Sequence, residues 1–140
     1  MKAQDEAACE VRPAVVDEAT CEWEGWADPA RGGVRWRTLF SAGRTPSQAL
    51  TCGVAEVTTR GPGDSFSTHR HAQAEVYYIL SGEGVVTVDG ADYPVRAGSA
   101  VFIPGDVEHG SWSTGEAPLV LFYVFAVDAF EEVVYIFPSS

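Results

Sequence analysis

Thr68-His69-Arg70-His71-Ala72-Gln73-Ala74-Glu75-Val76-Tyr77-Tyr78-Ile79-Leu80 is the stretch that decides how this chain folds. Side chains on a strand alternate faces, so His69 and His71 share one side of a sheet and Arg70 points to the other. In the next run Glu75, Tyr77 and Ile79 share one face, while Tyr78 points away. Working outward from this stretch, the same short period recurs. Runs rich in β-branched and aromatic residues cover 34–40, 50–59, 65–71, 75–80, 84–88, 92–95, 100–103, 110–113, 120–125 and 133–137, with Gly, Pro or Asp near most breaks. Asp89-Gly90, between two such runs, predicts a two-residue hairpin turn because both of its central positions favour positive φ. The chain is therefore expected to be all-β. Many short antiparallel strands fit a sandwich, a barrel or a jelly roll, and periodicity does not choose among them.

The 140 residues suit one domain with its own core. A hydrophobic fraction of 46% with 21% charged residues is ordinary for a globular chain. Residues 1–33 read as an N-terminal arm, with a short helix expected near 15–23, and residues 34–140 as the β domain. Trp23 and Trp26 read as an apolar cover over one end of the domain or as a subunit contact. The net charge of −11 would repel phosphate backbones and anionic bilayers, so neither nucleic acid nor membrane is an expected partner. Neither a secretory leader nor a run of ~18 apolar residues is visible, which predicts a cytoplasmic protein. Cys9, Cys21 and Cys52 are odd in number and lie away from the histidines, against a disulfide framework or a thiolate metal site; Cys52 reads as a small core residue.

His69, His71 and His109 are all the histidines of the chain. The first two share a face, Glu75 opens the next strand, and His109 follows the turn Pro104-Gly105-Asp106. Three imidazoles and one carboxylate form a mixed nitrogen and oxygen set suited to one divalent transition metal: Fe, Mn, Ni, Co, Cu or Zn. Four protein donors leave about two positions free on an octahedral ion, enough for a chelating substrate. Tyr77, inward like Glu75, would place a phenol where a nearby cation lowers its pKa from the usual ~10. Glu108 and Arg70 have the opposite parity. Arg35, Arg37 and Arg96 read as surface ion-pair residues.

The spacing from Gly63 through His69, His71 and Glu75 to Gly82 is similar to the first cupin motif, and Gly98, Pro104 and His109 resemble the second. Asp106 stands where the second motif usually has Gly, and Ser113 where it often has Asn. This resemblance implies a double-stranded β-helix, the cupin jelly-roll barrel, with the metal inside one open end. It also implies a homodimer.

A narrower resemblance is to the small cupin dimethylsulfoniopropionate lyases. It is carried by Gly33-Val34-Arg35-Trp36, the block from His69 to Tyr77, Ile103 to His109, and the tail from Phe122 to Tyr135. It implies Tyr77 as catalytic base, Tyr135 as a second catalytic tyrosine, and Tyr123, Phe125 and Trp112 as rings around the substrate. The implied reaction is removal of the proton α to a small-molecule carboxylate by Tyr77, with departure of the β substituent. Epimerisation, isomerisation or dehydration would use the same groups. An Fe(II) dioxygenase and a non-catalytic binding cupin also remain open.

Overall fold

A computed structural model describes residues 10–26, 28, 31–58 and 66–138. Strands among them are β1 (Glu24–Gly25), β2 (Val34–Phe40), β3 (Thr51–Val57), β4 (Phe66–His69) and β5 (Glu75–Ser81). They continue with β6 (Glu83–Val88), β7 (Ala91–Arg96), β8 (Ala100–Ile103), β9 (His109–Ser113) and β10 (Leu119–Phe125). One antiparallel sheet has the order β1-β2-β3-β10-β5-β8 and the other the order β4-β9-β6-β7. From β3 onward the chain passes repeatedly between the sheets, and the last strand, β10, inserts between β3 and β5. That is the crossing order of a jelly roll, and the all-β expectation is met.

Alternation decides what each strand buries. On β5, Glu75, Tyr77 and Ile79 are buried while Val76, Tyr78 and Leu80 are exposed; on β10, Leu119, Leu121, Tyr123 and Phe125 are buried. These inward rows meet Val34, Trp36, Ala55, Val57, Val86 and Ile103 in one core. Each large apolar side chain taken fully from water there contributes about 1.5–3 kcal/mol. The β6–β7 hairpin pairs Val88 with Ala91 across a turn whose φ angles, 52° at Asp89 and 81° at Gly90, are both positive, as the Asp-Gly pair predicted.

Two expected elements differ. The run 133–137 forms a single bridge, Arg70 to Ile136, rather than a strand. It does alternate, with Val133 buried and Val134 and Ile136 exposed, but its inward rings pack over Trp26 and the histidines instead of joining a ladder. In place of the helix near 15–23 there is only a 3-10 turn, Glu18–Thr20, whose N-cap Asp17 makes no side-chain capping bond. So short a helix does not stand alone. The segment is held instead on β2: Glu18 pairs with Arg37 at 3.2 Å, and the Trp23 ring lies 3.8 Å from the Arg35 guanidinium and 4.2 Å from that of Arg37. Glu24 and Gly25, within the segment read as an arm, join the larger sheet.

Cys52 is half-buried on the outer face of β3, because Thr51 and Gly53 take the inward positions. Cys21 and Cys52 are both free thiols. Cys9, Thr59, Gly63 and Ser65 lie outside the described residues. Among the described residues no helix is long and apolar enough to cross a membrane.

Candidate metal centre and its pocket

Strand ends bring the histidines together. His69 closes β4 and pairs directly with His109, which opens β9; Glu75 opens β5. One ring nitrogen from each of His69, His71 and His109 lies within 4.8 Å of the others. Glu75 Oε1 lies 3.2 Å from His71 Nε2 and 3.4 Å from His109 Nε2. The three histidines are 1% exposed and Glu75 5%, so solvent does not satisfy these groups.

Two rings are oriented by backbone carbonyls. His71 Nδ1–H donates to Gln73 O and His109 Nδ1–H to Val107 O, both at 2.9 Å, which leaves each Nε2 lone pair turned toward the centre. His109 Nε2 is buried without a hydrogen-bond partner. An orphaned buried acceptor costs about 1–3 kcal/mol unless something electron-poor meets it. Metal bonds of about 2.0–2.2 Å at right angles separate neighbouring donors by about 3 Å, close to the Glu75–His71 spacing. The donor types, the tautomers of His71 and His109 and the spacing of Glu75 from those two rings fit a divalent transition metal, and these residues could hold one.

Beside Glu75 lies a cavity of about 30 Å³, lined by Trp26, Trp36, Tyr77, Tyr123, Phe130 and Tyr135 over an aliphatic floor. Tyr77 and Tyr123 are cross-strand neighbours, and the same row continues through Gly53 to Thr38. The glycine makes room for the phenol: a Cβ at position 53 would sit 2.5 Å from Tyr123 Oη and against the Arg37 carbonyl. Gly53→Ala is therefore expected to displace the Tyr123 ring and cost about 1–3 kcal/mol, read as a lower thermal midpoint with an altered near-ultraviolet dichroism band.

Burial, with the Glu75 carboxylate adding to it, holds Tyr77 and Tyr135 well above the ordinary phenol value. Burial also raises Tyr123. In their protein surroundings alone all three are held in the neutral phenol form.

The sequence-expected residues fall in three groups. His69, His71, Glu75 and His109 converge, with Tyr77, Tyr123 and Tyr135 around the adjoining cavity. Tyr135 lies over His69 and His71, at ring separations of 5.1 and 5.3 Å. Phe125, fully buried, packs against the site, with its ring centroid 5.1 Å from that of His71 and the two rings nearly perpendicular. Trp112 does not join them: His109, Ser111 and Ser113 take the inward face of β9, which turns Trp112 outward opposite Val85. Glu108 is exposed, and Arg70 lies 3.8 Å from Asp106. Arg35 and Arg37 make the ion pairs expected of them, with Glu56 and Glu18.

Asp106 has φ 64°, the left-handed conformation for which the usual Gly is suited and which Asp tolerates. Its N–H donates to His71 O at 2.7 Å, tying the turn before His109 to the first pair of histidines. Trp36 and Phe130 were not singled out as pocket residues. The parity of Trp36 with Val34 was the available signal; Phe130 offered none, since it lies on an irregular segment.

Fold and donor set define a cupin. The Cupin domain model matches residues 56–125, and the chain belongs to that family. It is 40% identical, over 91% of its length, to dimethylsulfoniopropionate lyase DddW of Ruegeria pomeroyi, spanning 82% of that protein. Among solved structures it superposes on the polyketide cyclase RemF of Streptomyces resistomycificus with a TM-score of 0.73 at 21% identity, covering 92% of this chain and 89% of that one. A predicted oxalate decarboxylase of Thermotoga maritima gives a TM-score of 0.68 at 28% identity, covering 81% and 99%.

Proposed function

We propose that the chain is a metal-dependent lyase that takes the α proton from a small β-substituted carboxylate and expels the β substituent, with dimethylsulfoniopropionate or a close analogue as substrate. The observation that carries this reading is Tyr77, a buried phenol two residues beyond Glu75 on the same strand face and lining the same cavity. The similarity to DddW over most of both chains supports it.

His69, His71, Glu75 and His109 would hold the ion, and a bound divalent ion would supply Lewis acidity toward a carboxylate and lower the pKa of a neighbouring phenol. Tyr77, as phenolate, takes the proton; the C–H pair becomes the C=C bond, the C–S bond breaks, and the sulfur leaves with its pair as a neutral sulfide. Tyr135, which lines the same cavity, presents a second phenol. Among the described residues the cavity wall has one carboxylate and no cationic side chain, and its aromatic rings present faces to a sulfonium, each worth about 0.5–2 kcal/mol. Phe125 acts through His71 rather than on the substrate.

The test is to load the protein separately with Fe(II), Mn, Co, Ni, Cu and Zn and supply dimethylsulfoniopropionate. Dimethyl sulfide and acrylate are expected in equal amounts from at least one form. Solvent deuterium entering at the α carbon without elimination would mark an epimerase or isomerase. Oxygen uptake by the iron form would mark a dioxygenase, and tight metal binding with no turnover a binding protein.

A homodimer belongs to the same proposal. Val76, Tyr78, Leu80 and Phe102 lie exposed on the outer face of β5 and β8, a charge-free patch on a chain of net charge −11, where two acidic copies meet with least repulsion. Sedimentation should return twice the chain mass, and Phe102→Glu the single mass.

A further inference from the structure

We propose that Arg44 is a positioning residue for the cavity: its one guanidinium clamps together the two chain segments that complete the aromatic wall, and this partly exposed clamp sets how far the wall stands open. The inference rests on the cavity being the substrate pocket of the preceding reading.

Arg44 lies in the turn between β2 and β3. Its Nη1 donates to Glu24 Oε2 at 3.0 Å, while Nε and Nη2 donate to Glu131 Oε2 at 3.1 and 2.7 Å. Glu24 is two residues before Trp26, and Glu131 follows Phe130 directly; both rings line the cavity. Glu24 Oε2 also accepts from Thr38 Oγ1 at 2.7 Å, which fixes the near jaw to β2.

The far jaw is a strap pinned at both ends. At its start Asp128 accepts the Ala49 N–H at 2.7 Å and Ser41 Oγ accepts the Phe130 N–H at 2.9 Å. At its end Arg70 and Ile136 exchange backbone hydrogen bonds at 3.0 and 2.9 Å. Between these anchors, Arg44–Glu131 is the short side-chain tie among the described residues, against 3.5 Å for Gln73 Nε2 to Glu132 O. The jaws touch through rings: Trp26 lies 5.0 Å from Tyr135 and 5.9 Å from Phe137, with the Arg31 guanidinium over both Trp26 and Phe137.

A chain segment fixed at its ends and held between them by ring packing and by buried Val133 gains freedom next to its first anchor when the Arg44–Glu131 tie is lost. The cavity, with room for about two waters, admits a substrate only if the wall yields. The tie that must yield is ionic and partly exposed, Arg44 at 38% and Glu131 at 60%, so dissolved salt screens it.

The test is hydrogen–deuterium exchange on the full-length, metal-loaded protein. Arg44→Gln is expected to speed exchange about threefold or more in residues 22–26 and 130–137, with β5 and β10 unchanged. Arg44→Lys, a single ammonium without the fork, should fall between, and about 0.5 M NaCl should move the same segments in the wild-type chain. In the elimination assay KM should rise several-fold with kcat within about twofold. Unchanged exchange in 130–137, or acceleration spread through the whole barrel, overturns the clamp. Should the wild-type chain eliminate nothing, the lyase reading falls and the exchange pattern alone decides the role of Arg44.

Discussion

Tyr77→Phe is expected to lower kcat by about 10²–10⁴-fold, the range that a positioned general base supplies. The phenyl ring keeps the buried place of Tyr77 between Tyr123 and Val101, so the fold has no reason to give way. Metal content measured by mass spectrometry should stay at the wild-type ratio and the thermal midpoint should move little. Loss of turnover with metal and fold retained assigns the hydroxyl to the chemistry. Turnover near the wild-type rate removes Tyr77 from the mechanism and leaves Tyr135, which lines the same cavity, as the phenol to replace next.

Chelation, or His109→Ala, should be as severe by a different route. The three imidazoles and Glu75 crowd into a volume that water does not reach, and the Nε2 of His109 has no hydrogen-bond partner. A ligand bound only by the folded state, at a hundred times its dissociation constant, adds about 2.7 kcal/mol of stability. Removing the ion should therefore lower the thermal midpoint by several degrees and bring elimination to background. Adding back each metal in turn should restore both together. Equal midpoints for the chelated and reloaded protein would mean that the cluster holds no ion.

The sequence carried the barrel further than it carried the pocket. Runs 34–40 and 100–103 end where their strands end, because turn residues punctuate them and alternation sorts their faces. His69, His71, Glu75 and Tyr77 were legible for the same reason: each sits on or beside a strand, where parity fixes direction. Trp112 was assigned to the substrate by resemblance alone, and the parity of His109 on the same strand would have placed it outside. Phe130 and the segment to Phe137 obey no period that a ladder enforces. Their positions come from hydrogen bonds to Ser41 and Arg70, partners distant in sequence. The capping failure at Asp17 was equally invisible, since a side chain that could cap is not one that does.

The carbonyls that orient His71 and His109 belong to Gln73 and Val107, each two residues along the chain from its own ring. No side chain elsewhere is needed to choose the tautomer, so a substitution in the aromatic wall leaves the lone pairs aimed as before. The tautomers of these two rings are insulated from mutation around them. The wall beside them can therefore change its shape while the donor set keeps its aim.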